Sequence, residues 1–465
     1  MADGPYFHTR REFLGVSASV AAALATGIEN LFADEADRAV RLAADARPVK
    51  LGIVGAGGEG TWLMTNSLKI PGVQYLAICD IWPHSQEVAA NICRQFGGPE
   101  PRIYTEYAEF LDKEKDLEAV VVAVPDWKHA EVTNACLRAG KHVYCEKEMA
   151  KTVDGARSMV TTARETKKIL AIGHQRHSNP LYKVAHELLH KDKICGRVTH
   201  VRAQFNRNFN GRRPSNPAED FDCQKYGYPT MAHLRDWRLY KQTGGGWMAD
   251  LASHQVDVLN WLLDAPPLSV MASGGIDYYV DEVDAQGKPY PPREWYDNVL
   301  AIFEYPDIPA GKGVVRVQYQ VITTNGFDEF YEQIMGDEGT LFLSSDGGLA
   351  FREPGKKKLT WEEEAAKTKV VGREAITLAL GRSLRPGGAL RMLQKRDAGR
   401  KIEVKLDKAE HQYALEDFVN CLITGKNAPG CTPEFGFLTT VACTAASDAA
   451  ESGVKHVFKP EDYVA

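Results

Sequence analysis

An aspartate and a histidine four residues apart on one helix can share a proton, and this chain has such a pair in Asp250 and His254. The stretch Gly246 to Leu263 places Trp247, Leu251, Val258 and Trp261 on one stripe at roughly 100° per residue, the pattern of a helix with one apolar face. His254 falls in the middle of that stripe with Asp250 one turn before it, so the two side chains are predicted to meet. A carboxylate holding one imidazole nitrogen leaves the other free as a base or acid near neutral pH. The same spacing fits a core histidine satisfied by a local carboxylate. Gly244-Gly245-Gly246, immediately before the helix, permit close approach of backbone or ligand and favour the chemical reading. Lys147, in Tyr144-Cys145-Glu146-Lys147-Glu148, closes a short apolar run; an ammonium there could hold a substrate hydroxyl and favour its deprotonation, although the residue alone fits a surface lysine as well.

A second group of residues reads as a nucleotide cradle. Val49 to Gly60 is an apolar run entering the turn Gly55-Ala56-Gly57-Gly58-Glu59-Gly60, with a predicted helix from Thr61 to Lys69. In G-x-G-x-x-G the first glycine makes the turn, the second admits a pyrophosphate to the backbone and the third lets helix pack on strand, while the helix N-terminus offers free N–H groups. Asp80 ends the next apolar run, 20 residues past Gly60, where an acid binds a ribose diol and repels a 2′-phosphate. Ile81-Trp82-Pro83 bring no arginine to reverse that choice, so the expected cofactor is NAD rather than NADP. Pro125, Trp127 and His129 follow another apolar run on the same sheet edge and join Gly58, Glu59, Glu146 and Lys147 as cofactor candidates, with His129 equally able to serve only the next helix.

These groups need elements to position them, and 465 residues exceed one ordinary core, so two domains are expected. Apolar runs at Val49 to Val54, Gln74 to Cys79, Glu118 to Val124, His142 to Cys145 and Lys168 to Ile172 alternate with amphipathic stretches. That order predicts an α/β Rossmann domain with a parallel sheet over residues 48–173. Longer alternating runs follow at Val198 to Phe205, Ser269 to Tyr279, Asn298 to Tyr305, Gly313 to Val321 and Tyr331 to Met335. They predict an α+β domain over 174–465 with a large open, mostly antiparallel sheet. Gly355 to Lys405, rich in Lys, Arg and Gly, reads as surface insertion, and helices over Gln412 to Ile423 and Pro433 to Ser452 finish the chain and can pack back on the first domain. Residues 1–47 read as a twin-arginine signal and linker: Thr9-Arg10-Arg11-Glu12-Phe13-Leu14 precedes the apolar run Gly15 to Gly27, too short and alanine-rich for a membrane span. The expected location is periplasmic or secreted. A formal charge of -6 with interspersed signs gives no reason to expect a nucleic-acid partner. Nine cysteines, odd in number and never spaced C-x-x-C, predict buried thiols and no metal site.

Taken in order, the glycine turn, Cys145-Glu146-Lys147, Gly173-His174-Gln175-Arg176, and Gly244-Gly245-Gly246 followed by Asp250-Leu251-Ala252-Ser253-His254 resemble the glucose-fructose oxidoreductase and inositol dehydrogenase family over nearly the whole chain after the signal. The resemblance maps the family's E-K-P lysine on Lys147 and its D-x-x-x-H pair on Asp250 and His254. It implies that the histidine exchanges the hydroxyl proton, the aspartate supports it and the lysine holds the substrate near the nicotinamide; it also implies a homodimer or homotetramer. Glu148 departs from the family's proline, which predicts an altered lysine setting or an acidic group near the substrate. The expected activity is hydride transfer to or from a secondary hydroxyl of a sugar, glycoside or cyclitol. Alternatives are a glycosidase that oxidises its sugar transiently and a sugar-binding protein with structural NAD. Arg176, Trp237, Arg238, Tyr296 and Asp297 are candidates for the sugar pocket, each able to be sheet packing instead.

Overall fold

The computed structural model describes residues 47–213, 221–307, 313–344, 347–363, 365–370, 372–380 and 406–465; the twin-arginine segment lies outside them. The chain alternates strand and helix at first: β1 (Val49–Val54), α1 (Gly58–Ser67), β2 (Val73–Cys79), α2 (Pro83–Gln95), β3 (Arg102–Tyr104), α3 (Tyr107–Lys113), β4 (Ala119–Val122), α4 (Asp126–Arg138), β5 (His142–Cys145), α5 (Val153–Thr166) and β6 (Leu170–Ile172). These six strands form one parallel sheet in the order β3-β2-β1-β4-β5-β6. β4 is buried at every position and β1 at all but one, because a parallel sheet carries helices on both faces and so reads as unbroken apolar runs. The strand order reverses between β1 and β4, and the crevice beyond their carboxyl ends is where such a sheet takes a ligand. The edge strand β3 was not legible in the sequence: it is three residues long, two of them exposed, and has no apolar pattern.

After α6 (Pro180–His190) the chain builds a second sheet from β7 (Val198–Asn206), β8 (Ser269–Gly275), β9 (Asn298–Pro306), β10 (Val314–Ile322), β11 (Phe330–Gly336), β12 (Gly339–Ser344), β13 (Gly347–Arg352), β14 (Lys367–Val370), β15 (Arg373–Leu380) and β16 (His456–Val457). Its order is β14-β15-β13-β12-β11-β7-β10-β9-β8-β16, and only the β7–β10 pair is parallel. Burial in β9 and β10 alternates strictly, with Val299, Ala301, Phe303 and Tyr305 inward and Leu300 and Ile302 outward. That is the mark of a sheet covered on one face. The basic stretch expected as insertion contributes β14 and β15 to this sheet; charged residues on an outer strand mask the period that would have revealed it.

The remaining helices are α7 (Met231–Arg235), α8 (Ser253–Leu262), α9 (Glu410–Thr424) and α10 (Pro433–Ser452). α9 returns to the first sheet, where Leu415, Phe418 and Val419 join the core of β1 and α1. α10 packs against α5, α8 and β8, and its Phe437, Val441 and Ala446 belong to a core continuous with both sheets. Each fully buried large side chain contributes about 1.5–3 kcal/mol, so the two sheets are fixed relative to each other across the crevice.

The stretch read as one helix from Gly246 to Leu263 is two elements. Met248–Ala252 is a π-helical turn, and regular α8 begins only at Ser253. The Asp250 carboxylate is taken by Arg238 and Lys147, and among the described residues no hydrogen bond joins it to His254, which corrects the pairing expected from their spacing. All nine cysteines are free and buried, and among the described residues no helix is long and apolar enough to cross a membrane.

Candidate active site

The glycine turn has the properties a dinucleotide needs. Gly55 sits at φ 90°, and a Cβ on it would lie 2.5 Å from the Ala123 carbonyl oxygen. A Cβ on Gly60 would collide with the Gly55 carbonyl, so helix and strand touch there. Gly57 and Gly58 face open space, and α1 starts at Gly58 without a side-chain cap, leaving its first N–H groups available to an anion. The helix begins three residues before the expected Thr61 and so takes in Gly58, Glu59 and Gly60. Asp80 braces this turn: its Oδ2 accepts from the Ala56 N–H at 2.7 Å and its Oδ1 from the Trp82 N–H at 2.8 Å. Burial pushes its carboxyl up to about 6 against the lowering effect of those two bonds.

Pro125 forms the N-cap of α4, and the Trp127 indole N–H donates to the Tyr228 hydroxyl at 3.2 Å, tying the first domain to a loop of the second. His129 is a strut rather than a ligand group. It is buried, its Nδ1 lies 2.6 Å from the Glu148 carbonyl oxygen, and burial holds it down to about 4, so it is neutral. Glu146 is buried, with Oε2 accepting from the Lys147 N–H at 2.8 Å and Oε1 without a partner; burial and then Glu59 push it up to about 8. Glu59 reaches His411 of α9 at 3.3 Å, and the His411 Nδ1 accepts from the Trp62 indole at 3.1 Å. No sequence signal pointed to His411, which is brought to the glycine turn from the far end of the chain.

The chemical centre lies across the crevice. Lys147, 13% exposed, donates from Nζ to the Asp250 carbonyl oxygen at 2.7 Å and stands 3.5 Å from its Oδ1. Arg238 Nε donates to the same Oδ1 at 3.0 Å. Burial alone would raise the Asp250 carboxyl, but Arg238 and Lys147 outweigh it and hold it well below the carboxylate range. Lys147 is raised in turn: burial lowers it, and Asp250, Glu146 and Glu59 more than offset that. His254 is half-buried, and among the described residues its Nδ1 has no hydrogen-bond partner. Burial, then the charges of Lys147 and Arg176, hold its ring far below the usual histidine range, so it is a neutral imidazole. Asp126, missed in the sequence although it opens α4 directly after Pro125, accepts from the Gly245 N–H at 3.2 Å, and burial followed by Asp250 pushes it up to about 7.

Glu148 neither displaces the lysine nor enters the substrate space. The Lys147–Glu148 peptide is cis, and the buried Glu148 carboxyl turns into α10, where Oε1 accepts from Thr440 Oγ1 at 2.5 Å and from the Met149 N–H at 2.8 Å. Burial pushes it up to about 8.

Three of the expected sugar-pocket residues are engaged elsewhere. Arg176 is buried in an ion pair with Glu332 at 2.8 Å and stacks on Phe330. Asp297 accepts from the backbone N–H groups of Asp277, Tyr278 and Tyr279, so it shapes the turn after β8. Tyr296 packs beside Gly274 of the same strand. Trp237 lies under the Arg238 guanidinium, 4.2 Å from its ring centroid, and remains at the site with it.

Two family models match the chain: an oxidoreductase family's NAD-binding Rossmann fold over residues 49–174 and its C-terminal alpha/beta domain over 186–457. The chain belongs to the glucose-fructose oxidoreductase and inositol dehydrogenase family. Among curated members it is similar to the 1,5-anhydro-D-fructose reductase of Ensifer adhaerens, 30% identical over 35% of this chain and 43% of that protein. It is 25% identical to the inositol 2-dehydrogenase of Rhizobium meliloti over 49% and 59% of the two chains, and 29% identical to a glycosyl hydrolase family 109 protein of Streptomyces coelicolor over 40% and 44%. The chain thus spans about half the length of the curated relatives it matches. Solved structures share the fold: a levoglucosan dehydrogenase in complex with NADH and levoglucosan superposes with a TM-score of 0.64 at 17% identity, covering 88% of this chain and 99% of that one. An oxidoreductase domain protein from Kribbella flavida gives 0.65 at 18% identity, covering 89% and 100%.

Proposed function

We propose that this family member passes a hydride between NAD and a secondary hydroxyl or ketone of a sugar, glycoside or cyclitol. The observation that carries the reading is a charged lysine whose field keeps His254 a neutral imidazole, with Nδ1 unpartnered among the described residues, together with a glycine turn shaped for a dinucleotide. Gly57, Gly58 and the start of α1 would hold the pyrophosphate and Asp80 the ribose, and the nicotinamide would supply the hydride acceptor. Lys147, kept protonated by Asp250, donates a hydrogen bond to the substrate oxygen and stabilises the charge that develops there. His254, neutral at working pH, accepts the hydroxyl proton as the carbon gives up its hydride, and returns it in the reverse direction. Arg238 and Asp250 set the position of the lysine and do not support the imidazole.

Incubation with a panel of sugars and glycosides, following nicotinamide absorbance and released aglycone together, tests the reading. Net reduction without aglycone supports it; aglycone with no net reduction would make the chain a glycosidase, and neither signal would leave a binding protein. Thr9 to Leu14 supports export by the twin-arginine route, which cell fractionation of an Arg10→Lys, Arg11→Lys variant tests through its retention in the cytoplasm. Met271, Leu300 and Ile302, exposed on the open face of the second sheet, support pairing of that face in a homodimer or homotetramer. A monomer mass by light scattering at micromolar concentration would remove that assignment.

A further inference from the structure

The site holds more positive charge than hydride transfer requires. Along β7 the residues Ala203 and Phe205 share a face, and the Phe205 ring lies 6.0 Å from that of His254. Arg207 is the next residue on that face; its N–H bonds to the Ile322 carbonyl at 2.9 Å and keeps the chain extended past the strand end. Its charge helps to hold Asp250 ionised. Arg213 approaches the same place from the end of the following loop. The guanidinium carbons of Arg207 and Arg213 lie 5.4 and 5.1 Å from the centroid of one ring, Phe209, which itself packs edge-on to Trp247 at the start of the π-helical turn.

Arg213 is held in place by its neighbours. Its N–H donates to Asp236 Oδ1 at 2.8 Å, and Arg212 beside it is buried in ion pairs with Asp236 and Glu282. Burial, then the charges of Arg238 and Arg207, lower the Arg213 pKa against the opposing pull of Asp250 and Asp236. Arg238 has its carboxylate in Asp250, whereas among the described residues neither Arg207 nor Arg213 forms an ion pair with a carboxylate. Two exposed guanidinium groups over one ring, with no ion-pair carboxylate among the described residues, form a receptor for a planar anion.

We propose that the sugar taken by this site is an acid, a uronic or aldonic acid or a glycoside of one, whose carboxylate lies between Arg207 and Arg213 while a secondary hydroxyl reaches His254 and Lys147. The assignment rests on the dehydrogenase reading. A phosphate ester offers the same anionic chemistry, and the test separates the two.

The holoprotein is presented with three matched compounds: a neutral hexose glycoside, the corresponding glycuronide and the corresponding sugar phosphate. Binding is read by calorimetry and turnover by nicotinamide absorbance. The glycuronide is expected to show kcat/KM about 10- to 100-fold above the neutral compound, the worth of one charge-assisted contact, with the preference shrinking as salt rises. In an Arg207→Gln, Arg213→Gln variant that melts like the wild type, KM for the glycuronide rises and the preference collapses. Turnover of the neutral glycoside with equal or greater efficiency overturns the acid assignment and leaves the dehydrogenase standing. Preference for the phosphate overturns the carboxylate, and absence of glycuronide binding overturns the proposal outright. Tight binding of the glycuronide without any nicotinamide reduction supports the acid receptor and removes the dehydrogenase reading instead. If the double variant fails to fold, the preference and salt dependence of the wild type decide.

Discussion

Asp250→Asn separates the structure from the spacing of the sequence. The Asp250 carboxylate stands between Arg238 at 3.0 Å and Lys147 at 3.5 Å, with the three side chains 11%, 21% and 13% exposed. The amide keeps the shape but leaves two cations side by side with nothing between them. Removing one partner of a buried pair costs about 3–5 kcal/mol, and the opening of this site to solvent on one side places the loss near the lower figure. At about 2 °C per kcal/mol for a large chain, the melting temperature should fall by on the order of 5 °C. Lys147 also loses the chief group that offsets its burial, so its pKa drops and the alkaline limb of kcat/KM moves to lower pH. Adding Arg238→Met removes the second cation and should return most of the lost stability but not the turnover. The assay is a thermal melt beside a pH profile for the wild type and both variants. An Asp250→Asn protein that melts normally and keeps its alkaline limb, while the acid limb shifts, would show that the carboxylate serves His254 after all.

His254→Ala should lower turnover by about 10²- to 10⁴-fold with little change in melting temperature, since the ring is half-buried and its Nδ1 bonds nothing; normal turnover with a depressed melt would make it a packing residue. Glu148 carries a linkage signature. Its buried carboxyl, raised from 4.5 to about 8, keeps a proton that the unfolded chain gives up, so stability is lost as pH rises through that window. Melting temperature should fall between pH 5 and 8, and Glu148→Gln should flatten the fall; an unchanged slope would assign it to Asp126 and Glu146 alone. Nucleotide released from the purified protein should be NAD by mass, because an acid at the end of β2 repels a 2′-phosphate and Ile81-Trp82-Pro83 bring no arginine to offset it, and recovery of NADP would overturn the role proposed for Asp80.

The parallel sheet and its glycine turn were legible because buried parallel strands and G-x-G-x-x-G are local patterns: β1 and β5 fall at their expected bounds and α10 runs over the expected Pro433–Ser452. β14 and β15 were hidden by charge, and β12 and β13 by their glycines. At the site, Lys147, His254 and Arg238 were reachable from sequence, but their relations were not. The spacing of Asp250 and His254 puts the two on one face, but the carboxylate is taken by two cations that lie 103 and 12 residues away in the chain, which no local pattern reveals. Arg176 and Asp297 have the right chemistry for a sugar, yet Glu332 and the backbone after β8 take them first. His411 could not be found at all, since only the packing of α9 on α1 carries it to Glu59.

In the proposed reaction a hydride passes directly from a sugar carbon to the nicotinamide while the hydroxyl proton passes to His254. A sugar from the active panel, deuterated at every carbon, is incubated with the holoprotein in ordinary water, and the nicotinamide and the sugar are analysed by mass. Direct transfer leaves a reduced nicotinamide carrying one deuterium for each ketone formed. A sugar recovered with its deuterium replaced from solvent and a nicotinamide without label would contradict it.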